Sequence, residues 1–484
     1  MNTLPHDLAL APFIDGEHVT TPIDQTVATL DPATGAVLAQ VPVADAALVD
    51  RAVQAARAAL RGPWAAVLPA ERSRILFRTA ALIREQAQTL SVVESLDSGK
   101  PLREAKGDIE TSARYFEYYA GIADKLQGVT IPLGPDFLSM TVQQPIGVTA
   151  HIIPWNFPLV TTARGIAPCL AAGATAVVKP AEQTPLTALM LGKILKQAGL
   201  PDGVYNVVCG PGESTGAQLV AHPDIAHVTF TGSTETGKRV MQAAAQHTAA
   251  VTLELGGKSP VVVLADADLD KALEGVLKGI FTNAGQVCSA AARLIVERPV
   301  AQAFIDRLVA ATQALQPGKG LQDPGVGPVI SAEQLARIAR LVEQAAARGA
   351  RVLTGGQVLR PAGLEQGNFY APTLILADDA SDPIVQEEIF GPVLVIQIAD
   401  DVDHAVRLAN GTRFGLVAGI YTRDITAANR YAMQVEAGQV YINQYFAGGV
   451  ETPFGGTKAS GFGREKGLEG LRAYLQVKTI TTRI

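Results

Sequence analysis

The sequence predicts an α/β protein built on two helix-covered parallel sheets, and three observations predict it. From about residue 145 onward, short β-rich runs alternate with longer Ala- and Leu-rich helical segments. Such alternation is the pattern of a parallel sheet with helices on both faces. The alternation restarts beyond Ser259, which gives a second unit of the same kind. The 484-residue chain is also 48% hydrophobic and only 18% charged, enough apolar material for large cores and the reverse of a disordered or fibrous composition. At roughly 150 residues per domain, its length corresponds to about two to four domains.

In the first unit, strands are expected at Gly147–Ile153, Thr175–Lys179, Val204–Val208, Ala226–Thr231 and Val251–Glu254, with helices such as Leu186–Ala198 and Glu235–Gln246 between them. In the second, Val261–Leu264, Arg293–Glu297, Thr373–Leu376 and Val393–Ile398 read as strands, and Ala301–Leu315 and Ala332–Arg348 as helices. The first 120 residues read as mostly helical, with amphipathic stretches at Ala46–Leu60 and Ala70–Gln88. Gln127–Val142 and Tyr474–Ile484 are β-rich and lie outside both units. Isolated strands are edge liabilities unless something pairs with them. No repeat, low-complexity tract or Pro/Ser-rich linker separates the units, so they are expected to pack tightly.

Forty basic residues stand against forty-six acidic ones, a net charge of −6 without a long basic run, so a nucleic-acid footprint has no support. Met1–Leu10 lacks the charged and apolar regions of a signal peptide. The longest stretch free of Asp, Glu, Lys and Arg runs from Phe137 to Ala163, but Pro145, Pro154 and Pro158 would leave backbone groups unsatisfied in lipid. No membrane association is expected. Cys169, Cys209 and Cys288 are widely spaced and odd in number, which argues against disulfides and fits a reducing cytoplasm. The seven histidines show no HExxH spacing, and no metal site is expected.

Three segments could carry chemistry. HVTFTGSTETGKR, His227–Arg239, reads as a strand, a glycine turn and a helix start. It comes within one residue of a P-loop, but Arg239 stands where a Mg²⁺-binding hydroxyl is required, which disfavours a nucleotide triphosphatase. Either its glycines serve geometry alone, or free N–H groups at the helix start face a pyrophosphate. VVKPAEQTP, Val177–Pro185, ends a strand with Lys179 and places Glu182 three residues on. That pair could bind a ribose at the carboxyl end of a sheet or be a solvated helix cap. In FTNAGQVCSA, Phe281–Ala290, Cys288 has the polar and glycine neighbours that an exposed nucleophile needs, whereas Cys169 and Cys209 lie among Leu, Ala and Val and fit inert packing. No histidine lies between His247 and His404, so a cysteine–histidine pair cannot be read locally. Glu254, inside an apolar run, should have a raised pKa suited to a general base.

Together these segments resemble the aldehyde dehydrogenase superfamily over almost the whole chain. The shared motifs occur in the family's order: PWNFP at Pro154–Pro158, KPAEQTP at Lys179–Pro185, FTGSTETG at Phe230–Gly237, ELGGKSP at Glu254–Pro260, GQVC at Gly285–Cys288, EEIFGP at Glu387–Pro392 and PFGGTKASGFGRE at Pro453–Glu465. The resemblance implies a Rossmann-like cofactor domain from residues 1–126 and 143–254 and a second α/β catalytic domain from 255–453. Residues 127–142 and 454–484 would form a small β oligomerisation element and tail of a homodimer or homotetramer. It also implies NAD-dependent oxidation of a small-molecule aldehyde to the acid by the hydrolytic, non-acylating route, through a thiohemiacetal and a thioester.

By the same resemblance Cys288 is the nucleophile, Asn156 an oxyanion donor with the Cys288 backbone N–H, and Glu254 the base for the hydrolytic water. Lys179 and Glu182 match the adenosine-ribose ligands, Gly232 and Ser233 the turn beneath the pyrophosphate, Glu388 the nicotinamide-ribose ligand and Phe390 the ring beside the nicotinamide. Ile153, Pro154, Trp155, Gly212 and Leu255 complete the expected cofactor site. NAD is expected over NADP because the Glu182 charge would repel a 2′-phosphate.

Arg164 and Gly165 replace a tryptophan–lysine pair of many relatives, and Thr282 stands where an aromatic residue often lines the pocket. Arg164 could recognise the distal end of a semialdehyde or an aromatic aldehyde, or pair with a structural carboxylate. Phe157, Tyr445 and Phe454, with Phe116, Tyr119 and Phe446, could line a substrate funnel or simply pack the core. Two other functions are weighed: a coenzyme A-acylating dehydrogenase, whose members usually lack a glutamate at the place of Glu254, and a catalytically silent structural relative, against which Cys288, Asn156 and Glu254 argue.

Overall fold

Runs of Val, Ile and Thr with no charge in their middle form the central strands, because only a fully covered sheet buries both faces of such a segment. The computed structural model describes residues 3–20 and 23–484. Its first sheet has eight strands, in the order Glu17–His18, Phe13–Ile14, Tyr205–Val207, Thr175–Lys179, Val148–Ile152, Ile225–Thr231, Ala250–Glu254, Gly461–Phe462. The five central strands are mutually parallel, and each outer pairing is antiparallel. Strand order reverses between Val148–Ile152 and Ile225–Thr231, the place where an open α/β sheet forms a ligand crevice. The segments leaving those two strands begin at Ile153 and Gly232.

The second sheet has seven strands, ordered Arg351–Thr354, Thr373–Leu376, Val393–Ala399, Arg293–Glu297, Pro260–Val263, Val417–Tyr421, Gln439–Ile442. All neighbours are parallel except the first pair. Helix Leu269–Phe281 buries Ala272, Val276 and Ile280 against this sheet, a stripe at helical spacing. The link from that helix to strand Arg293–Glu297 carries Cys288.

A separate three-stranded sheet pairs Leu475–Arg483 with Phe137–Pro145 through nine antiparallel partners, and Thr130–Ile131 lies on the other side. Helix Pro158–Ala172 is buried along nearly its whole length. It opens on Pro158, whose missing N–H costs nothing at a first helical position.

The α/β reading holds, and the first 120 residues are mostly helical as expected, with one addition and one correction. The addition is short strands: Phe13–Ile14 and Glu17–His18 join the first sheet, and Thr26–Leu30 pairs with Val37–Pro42. The runs are too short to alternate visibly and show no hydrophobic period. The helix expected over Ala70–Gln88 is two helices, Pro69–Glu85 and Ala87–Ser98, broken where Gln86 leaves helical geometry (φ −97°, ψ 9°). Among the described residues no helix is long and apolar enough to cross a membrane.

Candidate active site

Strand Ile225–Thr231 gives way after only Gly232 and Ser233 to helix Thr234–Ala245. Ser233 caps that helix, its side chain accepting from Thr236 N, while Gly232 N donates to Glu254 O at 3.0 Å. The turn thus ties two strand ends together and leaves the helix N-terminus at the sheet edge, a favourable place for an anion. Beside it opens a cavity of about 290 Å³, lined by Pro154, Trp155, Asn156, Thr231, Gly232, Ser233, Glu254, Leu255, Gly256, Cys288, Gln334, Arg337, Glu388 and Phe390. Ten of these are residues the sequence singles out. Ile153 is buried next to this wall.

The Cys288 segment owes its shape to an unusual backbone. Asn283, Ala284 and Gly285 have φ values of 48°, 53° and 73°, a run in the left-handed region. Only glycine fits the last position, since a Cβ on Gly285 would stand 2.0 Å from the Gly391 carbonyl oxygen. Gln286 locks the turn: its amide donates to Asn283 O at 3.0 Å, and its Oε1 accepts from Ile330 N at 2.8 Å. Cys288 itself is partly exposed, unlike Cys169 and Cys209. Burial raises the Cys288 thiol to about 11, with Arg164 pulling the other way, and raises the two buried thiols to about 12. Asn156 is buried and donates its side-chain amide to Gln286 O at 2.8 Å, which ties it to the Cys288 segment.

Glu254 ends strand Ala250–Glu254 and is 1% exposed. Neither carboxyl oxygen has a hydrogen-bond partner among the described residues. Burial first, and then the nearby Glu465 carboxylate, hold its pKa well above the ordinary value. Its buried, unpartnered carboxyl thus favours the protonated form more than an ordinary glutamate does.

Glu388 accepts from Gly257 N at 2.9 Å, and burial raises its carboxyl to about 7. A Cβ on Gly256 would fall 2.2 Å from Glu388 Oε2, so the glycine permits this approach. Phe390, at φ 58°, meets Trp155 edge to face at 5.2 Å. Gln334 and Arg337, on helix Ala332–Ala347, hold this segment by its carbonyls: Arg337 donates to Glu388 O at 2.6 Å and Ile389 O at 2.7 Å, and Gln334 to Phe390 O at 2.8 Å.

Lys179 and Glu182 sit outside that cavity, paired at 3.0 Å. Gly212 is beside them, with Lys179 Nζ 4.0 Å from where its Cβ would be. Phe157, Tyr445 and Phe454 pack with Cys288 on the side of the second sheet's core, and Phe446 lies beside them, whereas Phe116 and Tyr119 are buried in the first unit's core. Arg164 is also interior, ion-paired to Glu465 at 2.5 Å and donating to Thr231 Oγ1 at 3.2 Å.

Several site residues escape the sequence reading: Thr231, Gly256, Gln334, Arg337, Glu465 as the partner of Arg164, and Lys466. The Lys466 ammonium lies 4.9 Å from the centre of the Phe454 ring, with the Arg164 guanidinium 5.6 Å from the same ring. Lys466 has no ion pair among the described residues, and burial lowers its pKa to about 8. Gln334 and Arg337 leave no signal in sequence, since they bind backbone carbonyls of a distant segment. Lys466 directly follows a recognised motif and could have been questioned there.

The model of the aldehyde dehydrogenase family matches residues 19–480. The chain belongs to the aldehyde dehydrogenase family. It is 44% identical to a betaine aldehyde dehydrogenase of Sinorhizobium fredii, over 97% of this chain and 96% of that protein. It is 40% identical to the peroxisomal aminoaldehyde dehydrogenase 1 of Pisum sativum, over 97% and 95%. An aldehyde dehydrogenase from Bacillus cereus solved as its NAD⁺ complex superposes with a TM-score of 0.95 at 42% identity, covering 98% of this chain and 96% of that one. As an aldehyde dehydrogenase, the protein is an oxidoreductase acting on aldehydes with a nicotinamide cofactor. Among the described residues no group of three His, Cys, Asp or Glu side chains is placed to hold a metal.

Proposed function

We propose that the protein oxidises an aldehyde to its carboxylate with NAD, through a thiohemiacetal and then a thioester on Cys288. The observation that carries this reading is the meeting of Cys288, Asn156 and Glu254 in one cavity with Gly232, Ser233 and Glu388. The sulfur of Cys288, once deprotonated, adds to the aldehyde carbon, and the carbonyl electron pair moves to oxygen. The Asn156 amide and the Cys288 backbone N–H receive that oxyanion, a contribution of about 3–4 kcal/mol per donor in other enzymes. The nicotinamide, when bound, supplies the hydride acceptor that turns the adduct into a thioester. Glu254 then takes a proton from water as its oxygen attacks the thioester carbon. Collapse expels the Cys288 thiolate and frees the acid. The hydrolytic role given to Glu254 is what favours this reading over coenzyme A acylation.

The residues present fit the cofactor. The glycine turn opens a helix start towards the crevice, and Gly256 leaves the space that Glu388 needs. Lys179 and Glu182 would hold the adenosine ribose with Gly212 beside them, and Gly232 and Ser233 would lie under the pyrophosphate. Glu388 would bind the nicotinamide ribose, Phe390 would pack near the ring, and Ile153, Pro154, Trp155 and Leu255 would wall the slot. In this reading residues 1–126 and 143–254 are the cofactor domain, 255–453 the catalytic domain, and 127–142 with 454–484 the oligomerisation element and tail.

For the substrate we propose a carboxylate-bearing semialdehyde or an aromatic aldehyde. The Lys466 ammonium at Phe454, unpaired among the described residues, would repel the positive tail of a betaine aldehyde or an aminoaldehyde. The Leu475–Arg483 strand pairs on one side only among the described residues and is exposed along most of its length, which supports a homodimer or homotetramer. A monomer mass by light scattering at micromolar concentration would contradict that assembly. Three unpaired cysteines suit a reducing cytoplasm.

Cys288→Ala tests the central assignment. It should abolish NADH formation with every aldehyde while NAD still binds by titration. Retention of more than a few per cent of turnover, with Cys169 and Cys209 untouched, would overturn it.

A further inference from the structure

Lys100 lies in the turn between helices Ala87–Ser98 and Leu102–Ala120, and its side chain is 1% exposed. Its ammonium stands 2.5 Å from Asp108 Oδ2 and 3.8 Å from Oε1 of the fully buried Glu94. Those carboxylates neutralise it but do not account for its direction. Nζ also donates to the backbone carbonyl of Asn156 at 2.9 Å and lies 4.4 Å from the centre of the Phe157 ring. The same carbonyl accepts from Asn283 Nδ2 at 3.0 Å.

Asn283 opens the left-handed turn that leads to Cys288, and its own N–H donates to Glu104 at 2.8 Å. Gln286, whose carbonyl receives the Asn156 side-chain amide, is fastened to Asn283 and Ile330. The peptide that carries Asn156 and the turn that carries Cys288 therefore belong to one hydrogen-bonded web, and Lys100 is its cation. Stability alone gives little reason for such an arrangement, because buried ion pairs can often be replaced by apolar side chains without loss. Orientation gives a better one: an error of about 1 Å in a reacting group can cost on the order of 100-fold in rate.

We propose that Lys100 is a positioning residue for the oxyanion site. By fixing the Asn156 carbonyl it sets where the Asn156 amide points relative to Cys288, and Glu94 and Asp108 hold it charged and in place. This rests on the reading of Asn156 as an oxyanion donor. Lys100 does not touch the substrate; it acts through Asn156.

A double-mutant cycle read by the pre-steady-state NADH burst tests this. Asn156→Ala should slow the burst by about 100- to 1,000-fold, the loss expected for an oxyanion donor. Lys100→Met should slow it by about 10-fold or more at full amplitude with KM for NAD unchanged, and should add almost nothing in the Asn156→Ala background. Where Lys100→Met is too unstable, Lys100→Met combined with Asp108→Asn removes the ammonium and its facing carboxylate together, and enters the same cycle. A lower amplitude at the wild-type rate would mean that Lys100 serves folding alone, and would overturn the proposal. Equal rate losses in both backgrounds would overturn it too. A normal burst in Asn156→Ala would instead remove the oxyanion assignment itself, and the role of Lys100 would fall with it.

Discussion

Arg164 Nε lies 2.5 Å from Glu465 Oε2, with the two side chains only 9% and 5% exposed. The pair closes helix Pro158–Ala172 onto the final residue of the last glycine-rich motif, and Thr231 accepts a hydrogen bond from the guanidinium. A guanidinium held this way is committed to the framework.

Arg164→Leu should therefore destabilise the protein by about 3–5 kcal/mol, because it leaves the Glu465 carboxylate buried without its cation. Activity should fall equally for an acidic semialdehyde and an uncharged aldehyde of the same length. Adding Glu465→Leu should recover part of the melting temperature. A rise in KM confined to the acidic substrate, at unchanged stability, would return Arg164 to the substrate.

Lys466 is the better reader of a negative tail. It is unpaired among the described residues, and its pKa of about 8 places its charge change near working pH. The ammonium is present below that value and lost above it. KM for an acidic semialdehyde should thus rise as pH passes about 8, while KM for a neutral aldehyde stays level. Lys466→Met should abolish that difference. Parallel pH profiles for the two substrates in the wild type would refute the assignment.

Glu254 should control deacylation. Glu254→Gln is expected to release about one NADH per active site in a burst and then stall, because the thioester persists. A protonated carboxyl cannot accept a proton, and burial raises the pKa of this one. Wild-type turnover should then climb with pH as Glu254 ionises, and the climb should be missing from what turnover the glutamine variant retains. Loss of the burst as well would place Glu254 in thiol activation instead.

Glu182 should select NAD. Its side chain is 35% exposed beside Lys179, so a 2′-phosphate would meet its charge. Comparison of kcat/KM for the two cofactors should favour NAD, and Glu182→Ser should narrow the ratio. An NADP preference in the wild type would exclude this role.

Much of this site could be read from the chain because its parts are short and local. The turn at Gly232–Ser233 follows its strand directly, and the expected strands Thr175–Lys179, Arg293–Glu297 and Thr373–Leu376 match the observed ones residue for residue. What escaped depends on contacts between distant segments. Lys100 meets Asn156, Arg164 meets Glu465, and Arg337 grips the Glu388 and Ile389 carbonyls, and none of these pairs leaves a periodic trace. The short strands near the amino terminus were missed for a related reason. Phe13–Ile14 is a strand only because Tyr205–Val207 lies beside it.

The left-handed run at Asn283, Ala284 and Gly285 bears on how the enzyme is made. Each non-glycine residue in that conformation costs roughly 1–2 kcal/mol, so a nascent chain does not hold it. What holds it comes from elsewhere: Glu104 on Asn283 N, the Asn156 carbonyl on Asn283 Nδ2, and the Pro328–Ile330 segment around Gln286. Residues from both halves of the polypeptide must meet before Cys288 acquires its setting. A chain that has not yet brought these segments together consequently lacks the turn, and the cavity around Cys288 is complete only in the finished fold.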